Sequence, residues 1–136
     1  MIVYTDDLEG IEPEQLAGGF FEGWAEPPTA EMHLAHLWGA EVAILALDEE
    51  TGQVVGFVTA VGDGVMVAFV PLLEVLPSYR HRGIGTELMR RVLAGLEGRY
   101  SVDLVCDPEM IGFYERLGAR GGIAAMWRDR EALGPE

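Results

Sequence analysis

The sequence predicts a single α/β (α+β) domain over residues 1–136, built on a mixed, mostly antiparallel central sheet flanked by helices. Three observations predict it. Short β-rich runs fill residues 42–76, a helical hydrophobic period begins abruptly after Pro77, and strand-like and helical stretches then alternate toward the C-terminus. A chain of 136 residues, 49% of them hydrophobic, suffices for one full core and falls short of two.

Taken in order, Ile2 to Thr5 reads as a short strand. Pro13 to Trp24 is predicted helical, because Leu16, Phe20 and Phe21 recur at helical spacing and Pro27-Pro28 stops the run. Thr29 can cap a second helix carrying Met32, Leu34 and Leu37, which Gly39 closes. Val42 to Leu47 and Val54 to Val61 form a hairpin around the turn cluster Asp48-Glu49-Glu50-Thr51-Gly52. Asp63-Gly64 turns the chain into Val65 to Leu76, whose almost unbroken apolar character is that of a central strand covered on both faces. Beyond Pro77 and a glycine-containing loop, Ile84, Leu88, Met89, Val92, Leu93 and Leu96 line one side of a helix, with Glu87, Arg90 and Arg91 on the other. Gly98 ends it. Val102 to Cys106 is a strand, Pro108 opens a helix through Leu117 that Gly118 stops, and Ile123 to Trp127 is expected as a last strand.

Charge divides the chain. There is no Lys, and all nine Arg lie at or after position 80, so residues 1–79 carry 14 acidic side chains and no basic one. A net charge of −14 repels polyanions and excludes a general nucleic-acid binder. Acidic side chains maintain solubility; they also suit attraction of a cationic substrate by the first half, with the arginines left to serve an anion. No window approaches a membrane span, and the N-terminus is acidic where a secretory signal is basic, so a cytoplasmic protein without a membrane partner is expected. The single Cys106, set among apolar residues, excludes an internal disulfide and suits buried packing; no cluster suggests a metal, and none is expected.

The strongest local signal is Arg80-His81-Arg82-Gly83-Ile84-Gly85-Thr86, between an apolar strand and an amphipathic helix. Glycines let a backbone approach a phosphate closely, and the free N–H groups and dipole of the helix's first turn favour its negative charge. Arg80 and Arg82 can add charge-assisted hydrogen bonds, as can His81 when protonated. A plain tight turn is the competing reading. A dinucleotide loop would need glycine where Leu88 stands, and a Walker loop would need a Lys.

The run Val75 to Gly85 resembles the GNAT acetyltransferase signature Arg/Gln-x-x-Gly-x-Gly/Ala with its preceding strand. Phe113-Tyr114-Glu115-Arg116-Leu117-Gly118-Ala119 is similar to the second signature of that superfamily, an aromatic-Tyr-Glu-basic-Leu-Gly helix end, and the resemblance covers roughly residues 42–127. It implies a GNAT-like fold and transfer of an acetyl group from acetyl-CoA to a primary amine, without a metal. Carried over by position, backbone groups of Leu73 and Val75 would pair with the pantetheine arm while a strand N–H polarises the acetyl carbonyl. The amides from Arg80 through His81, Arg82, Gly83, Ile84 and Gly85 to Thr86 would hold the pyrophosphate, and Tyr114 would protonate the departing thiolate.

Two positions depart from the pattern. Asp107 stands where many relatives have Asn near the pantetheine, so its carboxylate is expected either there or capping the Pro108 helix. The strand glutamate that acts as base in some histone-modifying relatives falls on Phe69, which leaves Glu74 as the local general base or as a partner of Arg80 or Arg82. Phe20, Phe21, Trp24 and His33 resemble the substrate-side residues of small bacterial GNAT proteins, and Cys106 to Trp127 is similar to plant arylalkylamine acetyltransferases; core packing is the other reading for the aromatics. Trp24, His33 and Asp63 are thus candidates for the amine, Asp63 with turn formation as its alternative. The resemblance leaves open a homodimer, a non-catalytic acyl-CoA-binding module, and a protein rather than a small amine as acceptor.

Overall fold

In a computed structural model, which describes residues 1–133, β1 (Ile2–Thr5) pairs antiparallel with β2 (Val42–Asp48), β2 with β3 (Val54–Gly62), and β3 with β4 (Val67–Val75). The fifth strand, β5 (Ser101–Asp103), joins β4 in parallel, so the order is β1-β2-β3-β4-β5. One face carries α2 (Ile84–Gly95), whose Ile84, Leu88, Met89 and Val92 are buried against β2, β3 and β4, together with Tyr114 from the short α3 (Ile111–Glu115). The opposite face carries α1 (Ala30–Gly39) and the segment before it, packing Leu8, Leu16, Phe21 and Leu37 on Leu45, Val54 and Phe57. Thr29 caps α1 as expected, its hydroxyl accepting the Met32 N–H at 3.1 Å.

Four expectations are corrected. The helix expected over Pro13 to Trp24 is only a 3-10 turn at Pro13–Leu16; the chain then visits the left-handed region at Gly19, Phe21 and Gly23, with φ of 116°, 66° and 87°. The spacing of Leu16 and Phe21 did mark buried residues, but two adjacent glycines cost a helix about 1 kcal/mol each. Ile123 to Trp127 forms no strand: residues 121–129 have no regular secondary structure and are exposed. A strand needs a neighbour to satisfy its backbone, and this run pairs with no strand among the described residues. The β4 strand is shorter than Val65 to Leu76, and Val67 and Phe69 remain 44% and 40% exposed rather than covered on both faces. The helix expected from Pro108 also divides into a 3-10 turn, Pro108–Met110, followed by α3.

Candidate active site

The pairing of β4 with β5 ends at Phe69–Asp103, while β4 continues to Val75 bonded to β3 alone. The sheet therefore opens at the C-terminal half of β4, where Leu73, Glu74 and Val75 lie. The edge of β4 away from β3 has no strand partner there among the described residues, which leaves its peptide groups available to an extended ligand.

At the end of this edge the chain turns through Pro77–Tyr79 into the arginine and glycine loop. His81 and Gly83 both take left-handed backbone angles, φ 65° and 81°, a conformation costly for His and free for Gly. Gly83 is the N-cap of α2 and supplies no side-chain cap. The backbone N–H groups of His81 through Thr86 donate to no acceptor among the described residues; the first bond of the helix is Glu87 N–H to Gly83 C=O, 3.1 Å. Six successive amides over the loop and the first turn of α2 are thus left without an internal partner, beside Arg80 and Arg82 and with His81, Arg82 and Gly83 exposed. Arg80 Nε donates to the Val75 carbonyl at 3.1 Å and its Nη2 pairs with Glu22 at 3.5 Å. Arg82 donates to the Ser78 carbonyl at 3.3 Å and stacks over the Tyr79 ring. Among the described residues neither arginine makes an ion pair with Glu74.

Glu74 instead accepts the N–H of Phe21 at 2.8 Å, across 53 residues of sequence. Burial raises its carboxyl above the ordinary carboxylate range; the Phe21 N–H and Arg80 pull it back, and Glu22 pushes it further up. Tyr114 is 8% exposed, and its hydroxyl makes no hydrogen bond among the described residues. Burial, then the neighbouring Cys106, raises the phenol above its ordinary value, so it is fully protonated near neutrality. The structure links Tyr114 to the loop through Phe113, whose ring meets Tyr114 edge-on at 4.9 Å and closes over Gly85.

Other candidates are placed differently. Asp63 lies at the far end of β4, and its Oδ1 accepts the N–H groups of Val65, Met66 and Val67, which lower its carboxyl to about 2. It shapes the hairpin turn and is not brought to Glu74. His33 is 2% exposed, wedged among Phe20, Phe21 and Phe57, with Nε2 unpartnered; desolvation, then His36, depresses it to about 4. It belongs to the core behind Phe21 rather than to an open substrate surface. Asp107 holds the N-cap position of the Pro108 turn but makes no side-chain cap, contrary to the capping expectation. Its carboxylate stands on a cavity of about 730 Å³ lined by Trp24, Glu26, Trp127, Arg128 and Asp129. Of these, Glu26 and Asp129 carried no sequence signal, and neither did the Phe21–Glu74 bond, since each depends on tertiary contact alone.

The chain's likeness to known proteins points to one family. Residues 11–119 match the family model described as the acetyltransferase (GNAT) family. The chain is 32% identical over 113 residues to GCN5-related N-acetyltransferase 1, chloroplastic, of Arabidopsis thaliana, and 39% identical over 69 residues to serotonin N-acetyltransferase 2, chloroplastic, of Oryza sativa subsp. japonica. These matches cover 81% and 49% of this chain, which spans 57% and 34% of the respective relatives' lengths. A crystal structure of a candidate acetyltransferase from Deinococcus radiodurans superposes with a TM-score of 0.92 at 47% identity, covering 99% of this chain and 94% of the other. With the open β4 edge, the free-amide loop and the Tyr114 helix all within the matched span, the chain belongs to the GNAT acetyltransferase family.

Proposed function

We propose that the protein transfers an acetyl group from acetyl-CoA to the primary amine of a small cationic acceptor. The observation that carries this reading is the run of six unbonded amides from His81 to Thr86 at the end of the unpaired β4 edge. The amides and Arg80 bind the pyrophosphate, and the backbone of Leu73 and Val75 pairs with the pantetheine amides. Asp107 flanks the pantetheine. A β4 N–H polarises the acetyl carbonyl and stabilises the oxyanion that forms there.

The neutral amine nitrogen attacks the carbonyl carbon as nucleophile, and the proton of the resulting ammonium passes to Glu74, directly or through water. Collapse of the tetrahedral adduct breaks the C–S bond, and the departing thiolate takes the phenol proton of Tyr114. Glu74's raised carboxyl and Tyr114's protonated state match these roles. A small acceptor is supported by the cavity of about 730 Å³ beside Trp24, of the size small ligands occupy, whose indoles and carboxylates suit an ammonium group. The rice relative, named as a serotonin N-acetyltransferase, supports an aromatic amine as the first acceptor to try.

The test is release of free CoA thiol from acetyl-CoA over a panel of arylalkylamines, polyamines, amino sugars and lysine peptides, alongside calorimetric binding of acetyl-CoA. Amine-dependent release, fastest with small amines, is expected. Release with peptides alone would overturn the acceptor class, binding without release would leave an acyl-CoA-binding module, and no binding would remove the reading altogether.

A further inference from the structure

Between Gly19 and Gly23 the chain enters the left-handed region three times, and one of those residues is not a glycine: Phe21 holds φ 66° between Gly19 at 116° and Gly23 at 87°. A bulky residue is strained there, whereas glycine would make the same turn freely. Phe21 is anchored by its side chain. The residue is 5% exposed, and its ring meets His33 at 5.0 Å, Trp24 at 5.1 Å and Phe57 at 6.1 Å. Its carbonyl accepts the N–H of Trp24 at 3.1 Å, closing the turn, and its own N–H donates to Glu74 Oε1 at 2.8 Å. Phe57 and Glu74 are register partners on β3 and β4, so their side chains stand together on one face of the sheet. One residue thus rests its ring on Phe57 and gives its N–H to the carboxylate beside it.

We infer that Phe21 is a positioning residue, whose ring-anchored left-handed backbone holds the carboxylate of Glu74 in place to take the acceptor's proton. The inference rests on Glu74 acting as the base, as proposed above. Strain at a bulky residue persists only where its surroundings over-determine it, and the aromatic packing around Phe21 does so. The adjacent residue completes the arrangement. Glu22 takes Arg80 Nη2 at 3.5 Å while Arg80 Nε donates to the Val75 carbonyl at 3.1 Å, so the arginine nearest Glu74 in sequence is engaged elsewhere. An ion pair with Arg80 would draw the carboxylate toward the phosphate loop and weaken it as a base; an amide N–H orients it without cancelling its charge. The charged groups acting on Glu74 are Arg80 and Glu22, and His33, depressed to about 4, is neutral beside the Phe21 ring. Trp24 packs on that ring and also walls the cavity of about 730 Å³, so the acceptor's site and its base share one support.

The test begins with nuclear magnetic resonance on the isotopically labelled full chain. The Phe21 amide proton should move with pH in step with the Glu74 carboxyl carbon, and that movement should vanish in Glu74→Gln. Phe21→Gly retains an N–H and admits the left-handed angle but deletes the ring anchor. It should lower kcat by about tenfold or more and leave the KM for acetyl-CoA within about twofold. The acidic limb of its kcat/KM profile should move to higher pH, because a carboxylate that loses a donor binds its proton more tightly. Leu37→Ala, in the same core cluster but outside the turn, should lower the urea midpoint and leave that limb in place. A Phe21 amide that titrates unchanged in Glu74→Gln would overturn the inference. So would a limb that stays put in Phe21→Gly, or moves as far in Leu37→Ala, while Glu74→Gln abolishes it. Full turnover in Glu74→Gln would instead remove the base itself, and the positioning role with it.

Discussion

Tyr114 is held by packing rather than by hydrogen bonds, so its hydroxyl can be removed with little structural effect. Tyr114→Phe should lower kcat by about 10²-fold or more, the size of a general-acid contribution, while the affinity for acetyl-CoA stays within about twofold. Equal turnover in stopped thiol-release assays would end the acid assignment. As the proposed base, Glu74 would work in its ionised form, and burial raises its carboxyl, so the acidic limb of the kcat/KM profile should lie above the ordinary carboxylate range and disappear in Glu74→Gln. His33 reports on stability instead. An unfolded chain protonates this ring near pH 6.5, while the folded ring resists until about 4. The stability it confers is complete above pH 6.5 and is lost as the pH falls toward 4, by an amount on the order of 3 kcal/mol. His33→Leu should flatten that slope, and subtracting the urea midpoints of the two proteins across this range cancels the carboxylates they share.

Among the elements, the loop entering α2 depends on backbone shape more than on side chains. A methyl group at Gly83 would meet nothing within 4 Å, so the penalty of Gly83→Ala comes from its φ of 81° alone, about 1 kcal/mol. Relaxing that strain swings the amides of His81 to Thr86 out of line, and acetyl-CoA should bind about fivefold more weakly, read as a smaller thermal shift on adding the ligand. Thr29→Ala, by contrast, removes only the cap of α1; it should cost about 1 kcal/mol of stability and leave acetyl-CoA binding unchanged. This division also explains what could be read from the sequence. The hairpin of β2 and β3, the amphipathic α2 and the Thr29 cap were legible because periodicity and capping are local properties of consecutive residues. The loop was legible because its glycines and arginines are adjacent. Phe21 was misplaced on a helix because its spacing encodes burial, and burial against Phe57 and His33 does not require helical backbone. The partner of Glu74 was invisible for the opposite reason: a backbone N–H 53 residues away carries no side-chain signature. Ile123 to Trp127 had the composition of a strand and lacked only a neighbour, which composition does not supply.

The division of charge along the chain sets a test that no single residue can. Residues 1–79, with 14 acidic side chains, include Glu22, Glu26 and Glu74, while Arg80 and Arg82 flank the loop of free amides proposed to hold the pyrophosphate. On the proposed reading, the net charge of −14 would attract a cationic amine and repel acetyl-CoA at long range, and at contact the two arginines would reverse the sign for acetyl-CoA alone. Raising ionic strength shortens the screening length to about 8 Å at 0.15 M, which weakens the long-range field before the contacts. For the acceptor, both components are attractive and both fade, so kcat/KM should fall several-fold between low salt and 0.3 M, and more steeply for a polyamine than for a monoamine of similar size. For acetyl-CoA, the fading repulsion offsets the fading attraction, so its KM should change less over the same range. A salt dependence that is steep for acetyl-CoA and flat for the amine would show that the acidic half serves solubility only, and that the acceptor is recognised by shape rather than drawn in by charge.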